Sequence, residues 1–187
     1  MITAIDKNTA LVLIDFQNSV VSVPTAHSMD EVIDNVNKLI AAFRKKNLPV
    51  VAVNVNPKKA NWLTSRKEVK MPQFPDDENL YKITEKLNTQ SGDIFITKHT
   101  WSAFFETPLN DELKKNNVTG IVLAGVSTSI GVEGTARAAS ELGYNISFAL
   151  DAITDRVQEA HDRSVQFIFP RIGELGSTDE IIAMMNK

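Results

Sequence analysis

The stretch Ala10-Leu-Val-Leu-Ile-Asp15 decides the fold class, because an unbroken run of apolar residues leads directly into an acid. A short apolar run of this kind is typical of a strand that is buried on both faces, as in a parallel sheet. We therefore predict a buried strand at residues 10–15, with Asp15 at its carboxyl end.

Similar apolar runs recur along the chain and predict further strands at residues 49–54, 93–98, 120–125, 144–151 and, as a short last strand, 171–174. Helical patterns alternate with them. Ser28 and Glu31 form a capping-box pattern ahead of a helix of about four turns, whose apolar face is Val32, Ile33, Val36, Leu39, Ile40 and Phe43. Further helices are predicted at about residues 109–116, 129–142, 157–169 and 178–185. The alternation predicts an α/β fold, a three-layer, Rossmann-like, doubly wound sheet, mostly parallel, of about six strands with helices on both faces.

Residues 57–88 do not fit this alternation. The first half of the segment is basic and the second half contains prolines and acids; the residues concerned are Lys58, Lys59, Arg66, Lys67, Lys70, Pro72, Pro75, Asp76, Asp77 and Glu78. A long insertion with prolines predicts a loop and lid. The rest of the chain shows no flexible linker, low-complexity tract or fixed repeat, so we predict a single domain over residues 1–187.

The composition excludes several classes of function. The 187 residues include no cysteine, which rules out disulfide scaffolds, thiolate zinc sites and cysteine nucleophiles. A formal net charge of −3 provides no basic field for nucleic acid or an anionic membrane, and so favours a small-molecule partner. The first residues contain no apolar segment typical of a signal peptide, and no long apolar run is present, so we expect a cytoplasmic protein.

Polar residues at the carboxyl ends of the predicted strands are the first candidates for a site, because ligands of doubly wound sheets bind at that edge. Asp15 could act as a general acid or base if burial raises its pKa, or it could be a turn or capping residue. Lys98 could supply a fixed positive charge, or extend to solvent. The loop 125–131 joins a strand to a helix and offers backbone N–H groups to an anionic centre.

Two further hypotheses come from the residues alone. Gly125-Val-Ser127-Thr-Ser129 nearly matches a nucleophile elbow, and Asp151 or Asp155 and then His161 follow it in the order of a serine hydrolase. In the basic segment, Arg66 is suited to bidentate contact with a substrate carboxylate, although a solvated loop would have the same composition.

Three ordered motifs resemble the isochorismatase-like hydrolase superfamily. They are Ala10-Leu-Val-Leu-Ile-Asp15-Phe-Gln17-Asn18, Lys98-His-Thr-Trp-Ser-Ala-Phe104 and Leu123-Ala-Gly-Val-Ser-Thr-Ser-Ile-Gly-Val-Glu-Gly-Thr135-Ala136. In the cysteine hydrolases of that superfamily an acid, a lysine and a cysteine form the catalytic triad. Asp15 and Lys98 match the first two positions, and the cysteine position falls on Gly131, which has no side chain that could attack a carbonyl.

The resemblance implies the chemistry of the branch in which glycine stands at this position. There the acid protonates an enol-pyruvyl vinyl ether and water attacks the resulting cation, without a covalent enzyme intermediate. Asp15 would donate the proton, with Lys98 and Gly131 as the other catalytic positions. The Val126–Ser127 peptide corresponds to one that is typically cis, and the substrate would be bound by Gln17, Trp101, Val126, Ser127 and Thr128, together with Arg66.

The resemblance also bears on metals and partners. The nicotinamidase branch holds a metal with an aspartate and a histidine after the second strand, where this chain has Asn54-Val-Asn56. Neutral amides are poor replacements, so we predict no catalytic metal and no cofactor. Members of the superfamily commonly self-associate, so a homo-oligomer, a dimer or larger, is expected. A metabolite-binding protein that lost its nucleophile is the alternative to an enzyme.

Overall fold

The computed structural model describes residues 1–70 and 73–187 and contains one sheet of six parallel strands. The strands are β1 (Thr9–Ile14), β2 (Val50–Val55), β3 (Ile94–Lys98), β4 (Gly120–Val126), β5 (Asn145–Thr154) and β6 (Glu174–Gly176). Their order across the sheet is β3-β2-β1-β4-β5-β6, and every neighbouring pair is parallel. The predicted fold class is confirmed, with β1 at the centre of the sheet.

Helices cover both faces of the sheet. They are α1 (Asn18–Val21), α2 (Met29–Lys45), α3 (Leu109–Lys115), α4 (Glu133–Glu141), α5 (Gln158–Arg163) and α6 (Thr178–Met185). Side chains of β1 alternate between two hydrophobic cores, as the two-residue period of a strand requires. Leu11 and Leu13 belong to the core under α2 and α6, whereas Val12 and Ile14 belong to the core under α3 and α4.

The predicted start and apolar face of α2 are confirmed. The Ser28 side chain accepts a hydrogen bond from the Glu31 backbone N–H and so caps the helix. The apolar positions at helical spacing are all buried: Val32, Ile33, Val36, Leu39, Ile40 and Phe43.

The structure differs from the prediction at several element boundaries. The predicted helix at 129–142 begins as a π-helical turn, Thr128–Val132, before α4. Strand β5 continues past Asp151 to Thr154, with an irregular register against β4. The predicted helix at 157–169 is α5 followed by a π-helical turn, Ser164–Ile168, and a 3-10 turn, Phe169–Arg171. The last strand therefore starts at Glu174 and not near Arg171.

The described part of the segment 57–88 contains three short 3-10 helices, Pro57–Lys59, Asn61–Thr64 and Glu78–Tyr81. Met71 and the predicted proline at position 72 lie outside the described residues. Lys58 Nζ lies 2.5 Å from Asp76 Oδ1 and 3.7 Å from Glu78 Oε1, and these ion pairs join the start of the segment to its acidic second half. In the part of the chain that the structure describes, no helix has the length and apolar character needed to cross a membrane.

Candidate active site

The site lies where the strand order reverses. Chain connections leave β1 toward β2 on one side and return to β4 on the other, and ligands of open α/β sheets bind in the crevice that this reversal opens at the carboxyl ends. A cavity of about 400 Å³ occupies this place. Its lining includes Asp15 after β1, Lys98 at the end of β3, and Ser127 and Gly131 after β4. Three strand ends therefore bring together the residues that the motifs singled out.

Asp15 is held in a tight turn directly after β1. Its backbone N–H donates to the Val53 carbonyl at 2.8 Å, and its carbonyl accepts from the Gln17 N–H at 2.8 Å. Its φ of 57° lies in the left-handed region, which aspartate tolerates better than most residues. The prediction placed Asp15 within the strand; the strand ends at Ile14, and the turn that follows buries the carboxyl group.

Asp15 and Lys98 form a buried ion pair. Lys98 Nζ lies 2.9 Å from Asp15 Oδ2, and the two side chains are only 2% and 8% exposed for lysine and aspartate. Lys98 Nζ also donates to the Thr100 carbonyl at 3.0 Å. Asp15 Oδ1 is buried and has no hydrogen-bond partner among the described residues. One carboxylate oxygen is thus fixed by the ammonium group, whereas the other is buried without a hydrogen bond, in a residue that lines the cavity.

Burial raises the pKa of the Asp15 carboxyl from its ordinary value of 3.8 to about 6, although the charge and hydrogen bond of Lys98 pull the pKa down. Desolvation of the carboxylate therefore outweighs the attraction of the ammonium. With a pKa of about 6, roughly a tenth of the molecules hold a protonated Asp15 at pH 7, compared with about one in a thousand at the ordinary pKa. The site can supply a proton near neutral pH.

Gly131 lies against this ion pair. A Cβ atom at position 131 would stand 2.9 Å from Asp15 Oδ2, 3.0 Å from Ile14 Cγ2 and 3.6 Å from Lys98 Nζ. The missing side chain lets the loop after β4 approach the carboxylate closely. The three positions predicted to be catalytic are thus adjacent in space, and the third has no side chain.

The loop 127–131 follows a cis peptide between Val126 and Ser127, as the resemblance implied. Both residues line the cavity. Thr128 was expected to bind substrate, but it is fully buried, and its Oγ1 lies 2.8 Å from His161 Nδ1. The loop therefore directs the Thr128 hydroxyl to α5, away from the cavity lining.

The contacts of His161 also bear on the serine-triad hypothesis. The imidazole partner is Thr128, whereas the Ser129 hydroxyl donates to Asp155 Oδ2 at 2.8 Å. Burial, and next the neighbouring His27, hold the pKa of His161 below its usual range. Among the described contacts, neither serine of the predicted elbow pairs with the histidine, so the arrangement of a serine hydrolase is not formed.

Gln17 lines the cavity, but its amide is engaged by the protein. Its Nε2 donates to Ser19 Oγ and to the Val55 carbonyl, both at 3.1 Å, and its Oε1 accepts from the Val55 N–H at 2.7 Å. Gln17 therefore joins the turn after β1 to the end of β2. It shapes the cavity wall, and most of its hydrogen-bonding capacity is already used.

Aromatic rings form much of the remaining wall. Trp101 lines the cavity as predicted and is 58% exposed. Trp62, Phe74 and Tyr81 reach the cavity from the segment 57–88. Trp62 Nε1 donates to the His99 carbonyl at 2.8 Å, and the Tyr81 hydroxyl to the Pro75 carbonyl at 2.7 Å. Because these polar atoms are engaged, the rings present apolar faces to a ligand.

The arginine that lines the cavity, in addition to Lys98, is Arg156 and not the predicted Arg66. Arg66 is exposed on the segment 57–88 and is not part of the cavity lining. Arg156 lines the cavity and forms no ion pair with any residue that the structure describes. Because the predicted strand ends at Asp151, the sequence alone does not place Arg156 at the sheet edge; the longer β5 does so.

The side chains of Asn54 and Asn56 form hydrogen bonds within the protein. These residues stand where the resemblance puts the metal ligands of the nicotinamidase branch. Asn54 donates to the Tyr81 carbonyl and accepts from the Thr97 hydroxyl, and Asn56 caps the 3-10 turn at Lys58. Within residues 1–70 and 73–187 no group of three or more His, Asp or Glu side chains is arranged to hold a metal ion. The side chains of Asn54 and Asn56 thus support the cavity wall.

A model of the isochorismatase domain matches residues 9–180. The chain belongs to the isochorismatase family. The uncharacterized isochorismatase family protein YecD of Escherichia coli O157:H7 is 38% identical over 179 residues, which cover 94% of this chain and 95% of YecD. The structure of an isochorismatase family protein from Burkholderia thailandensis has a TM-score of 0.90 at 32% identity and covers 98% of each chain.

A more distant relative carries an activity in its name. The ureidoacrylate amidohydrolase RutB of Pseudomonas syringae pv. syringae (strain B728a) is 28% identical over 162 residues, which cover 73% of this chain and 66% of RutB. Together with the domain match, these relatives identify the chain as an isochorismatase-family hydrolase.

Proposed function

We propose that this isochorismatase-family hydrolase cleaves a vinyl ether or related bond in a small anionic metabolite, with Asp15 as general acid and without a covalent enzyme intermediate. The observation that carries the proposal is the buried Asp15–Lys98 pair, which lies against Gly131 where a nucleophilic side chain would otherwise stand. A site with an acid but no adjacent nucleophile suits a reaction that begins with protonation.

The atoms of the site fit the successive steps. Protonated Asp15 transfers its proton to the terminal carbon of the vinyl ether, which forms a C–H bond and leaves an oxocarbenium carbon. Water adds to that carbon and its released proton returns to the Asp15 carboxylate. The resulting hemiketal breaks its C–O bond to give a carbonyl compound and an alcohol. Lys98, 2.9 Å from Asp15 Oδ2, stabilises the carboxylate formed in the first step.

The rest of the cavity supports a small substrate with an anionic group. Arg156 provides a guanidinium with no ion-pair partner in the described chain, suited to a carboxylate. The rings of Trp62, Tyr81 and Trp101 provide apolar surface for the remainder of the molecule. RutB is named for a different reaction, the hydrolysis of an amide. Cleavage of an amide through a covalent intermediate would require a nucleophilic side chain, which Gly131 does not offer.

Pyruvate release from two enol-pyruvyl ethers, isochorismate and the phenyl ether of enolpyruvate, tests the reaction. We expect the wild type to release pyruvate and Asp15→Asn, which keeps the size of the side chain, to lose about 100-fold or more of kcat/KM. Asp151→Asn is the control, because Asp151 is an exposed carboxylate that does not line the cavity. Activity that persists in Asp15→Asn would contradict the assigned role, and tight binding without turnover would favour a metabolite-binding protein.

The pH dependence provides a second measure of the same acid. Because the raised pKa keeps Asp15 protonated up to about pH 6, kcat/KM should be level below that pH and fall about tenfold per pH unit above it. An acid of ordinary pKa would lose activity above about pH 4. A profile of the wild type that stays level from pH 6 to pH 9 would be inconsistent with Asp15 as the proton donor.

We also propose that the protein is a homo-oligomer. The support is the exposure of large apolar side chains around the cavity mouth, Trp101 and Ile130, and of Phe105 in the loop after β3. Size-exclusion chromatography with light scattering measures the number of subunits, and a monomer at micromolar concentration would contradict the proposal.

A further inference from the structure

We infer that Asp155 is a positioning residue, which holds the Gly131 loop and Arg156 in one arrangement around Asp15. The inference rests on the proposed function, because it assigns Asp155 to the same reaction. Asp155 follows β5 directly, at the carboxyl edge of the sheet and next to the end of β4, and is only 3% exposed.

The Asp155 carboxylate connects two walls of the cavity. Its Oδ2 accepts hydrogen bonds from the Ser129 N–H and from the Ser129 hydroxyl, both at 2.8 Å. Its Oδ1 accepts from the backbone N–H groups of Arg156 at 2.7 Å and Val157 at 3.3 Å. One oxygen therefore holds the loop after β4, and the other holds the start of the connection to α5.

The residues on either side of these contacts line the cavity. Ser129 lies two residues from both Ser127 and Gly131, and Gly131 is so close to Asp15 that a Cβ there would stand 2.9 Å from Oδ2. Arg156, whose N–H is bound, carries the guanidinium at the cavity. Hydrogen bonds to an ionised carboxylate are stronger than neutral ones, and burial shields them from water. The Asp155 side chain therefore links the Gly131 loop directly to the segment that carries Arg156, in addition to the contact between Thr128 and His161.

The engaged oxygens of Asp155 distinguish positioning from catalysis. Each oxygen already accepts two hydrogen bonds, so the carboxylate has no free lone pair for a substrate proton. Asp155 also does not line the cavity. Its effect on the reaction must pass through the segments that it holds.

The chain contains a matched control for this arrangement. Asp151, in β5, has an Oδ1 that accepts from the Thr178 N–H at 2.7 Å and the Thr178 hydroxyl at 2.8 Å. These two hydrogen bonds hold the start of α6, and their donors and lengths closely match those of the two hydrogen bonds from Ser129 to Asp155. Neither Asp151 nor Thr178 lines the cavity. Asp151→Asn therefore tests the effect of weakening such a pair of hydrogen bonds away from the site.

The experiment compares Asp155→Asn with Asp151→Asn in kcat/KM, pH profile and thermal midpoint. The amide nitrogen of asparagine cannot accept a hydrogen bond, so Asp155→Asn releases either Ser129 or Arg156 and Val157. We expect pyruvate release from the phenyl ether of enolpyruvate to fall about 10- to 100-fold in kcat/KM, with Asp151→Asn within about twofold of wild type. The fall in activity near pH 6 should move to lower pH only in Asp155→Asn, because a loosened loop admits water to Asp15.

A binding measurement separates this inference from the proposed reaction. The chain has two tryptophans, Trp62 and Trp101, and both line the cavity, so their fluorescence reports binding of benzoate, an unreactive aromatic carboxylate. Weaker benzoate binding in Asp155→Asn than in Asp151→Asn would support the positioning role even if the wild type releases no pyruvate. Equal binding together with equal pH profiles would overturn the inference, as would a wild type that does not bind benzoate.

A second variant keeps the inference testable if the first one fails to fold. If Asp155→Asn does not fold, Ser129→Ala removes the hydroxyl donor and leaves the backbone N–H of the same residue in place. We expect Ser129→Ala to keep its circular dichroism and to lose a few-fold of kcat/KM and of benzoate affinity. No change in either quantity would overturn the inference.

Discussion

At the scale of single residues, the fate of the proton on Asp15 depends on burial, on Lys98 and on position 131. Burial favours the neutral carboxyl, Lys98 favours the carboxylate, and the backbone of Gly131 closes over Oδ2 without a side chain. A cysteine at position 131 would place its Cβ against the same oxygen. Without that side chain the acid lies at the cavity wall with no nucleophile beside it, which is the arrangement that a reaction beginning with protonation needs.

Adding a single methyl group at position 131 should displace the Asp15 carboxylate. In Gly131→Ala the new methyl group would stand 2.9 Å from Asp15 Oδ2 and 3.0 Å from Ile14 Cγ2, so the carboxylate must shift from Lys98. We expect a loss of about 1–3 kcal/mol in the free energy of unfolding and at least a tenfold loss in kcat/KM for pyruvate release. Gly92→Ala is the control, because a Cβ there meets no atom within 4 Å. Full activity in Gly131→Ala would show that the close approach is not required.

The sequence predicts Asp15, Lys98 and the loop 125–131 as site residues because they lie at strand ends, where this fold class binds ligands, and the family resemblance adds the significance of Gly131. Arg66 and Arg156 show the limit of this reasoning. Both arginines lie in predicted connections, and which of them reaches the cavity depends on how far β5 extends and on the path of residues 57–88. Neither is encoded in a local pattern.

At the scale of elements, the connections at the carboxyl edge deviate most from the regular pattern. Apolar periodicity predicted α2 and its buried face, because one helix face packs against the sheet. The π-helical turn Thr128–Val132 has no such periodic signal, since long-range contacts to Asp155 and His161 hold it. The elements that sequence patterns miss are therefore those that tertiary contacts shape, and they surround the site.

The ion pairs of Lys58 give the segment 57–88 a testable role in substrate binding. Lys58 holds Asp76, next to Phe74 and Pro75 of the cavity wall, so Asp76→Asn should loosen that wall. Because the pair is exposed, we expect a rise in KM of less than about fivefold and little change in kcat. Asp30→Asn, which breaks the exposed pair with Lys86 at 2.8 Å, should leave KM unchanged. A lower kcat with unchanged KM in Asp76→Asn would argue against this role.

At the scale of the whole molecule, the sheet joins two cores that share every central strand. Phe43 of α2 is fully buried in one core, and Phe148 of β5, stacked on Phe169 with ring centroids 3.9 Å apart, is fully buried in the other. Successive residues of β1 enter opposite cores, so the loss of either core removes half of the packing that holds the strand. The two sides of the sheet should therefore unfold together.

Alanine substitution on each face tests this coupling. Phe43→Ala and Phe148→Ala should each lower the free energy of unfolding by about 3–5 kcal/mol, through lost burial and the cavity left behind. In urea, far-ultraviolet circular dichroism reports the helices on both faces, while Trp62 and Trp101 report the cavity at the sheet edge. Because both cores depend on β1, we expect the two signals to share one midpoint in the wild type and to shift together in each variant. Separate midpoints, or a shift in one signal alone, would contradict the single transition and show that the strand ends which form the site can lose their order before the rest of the sheet does.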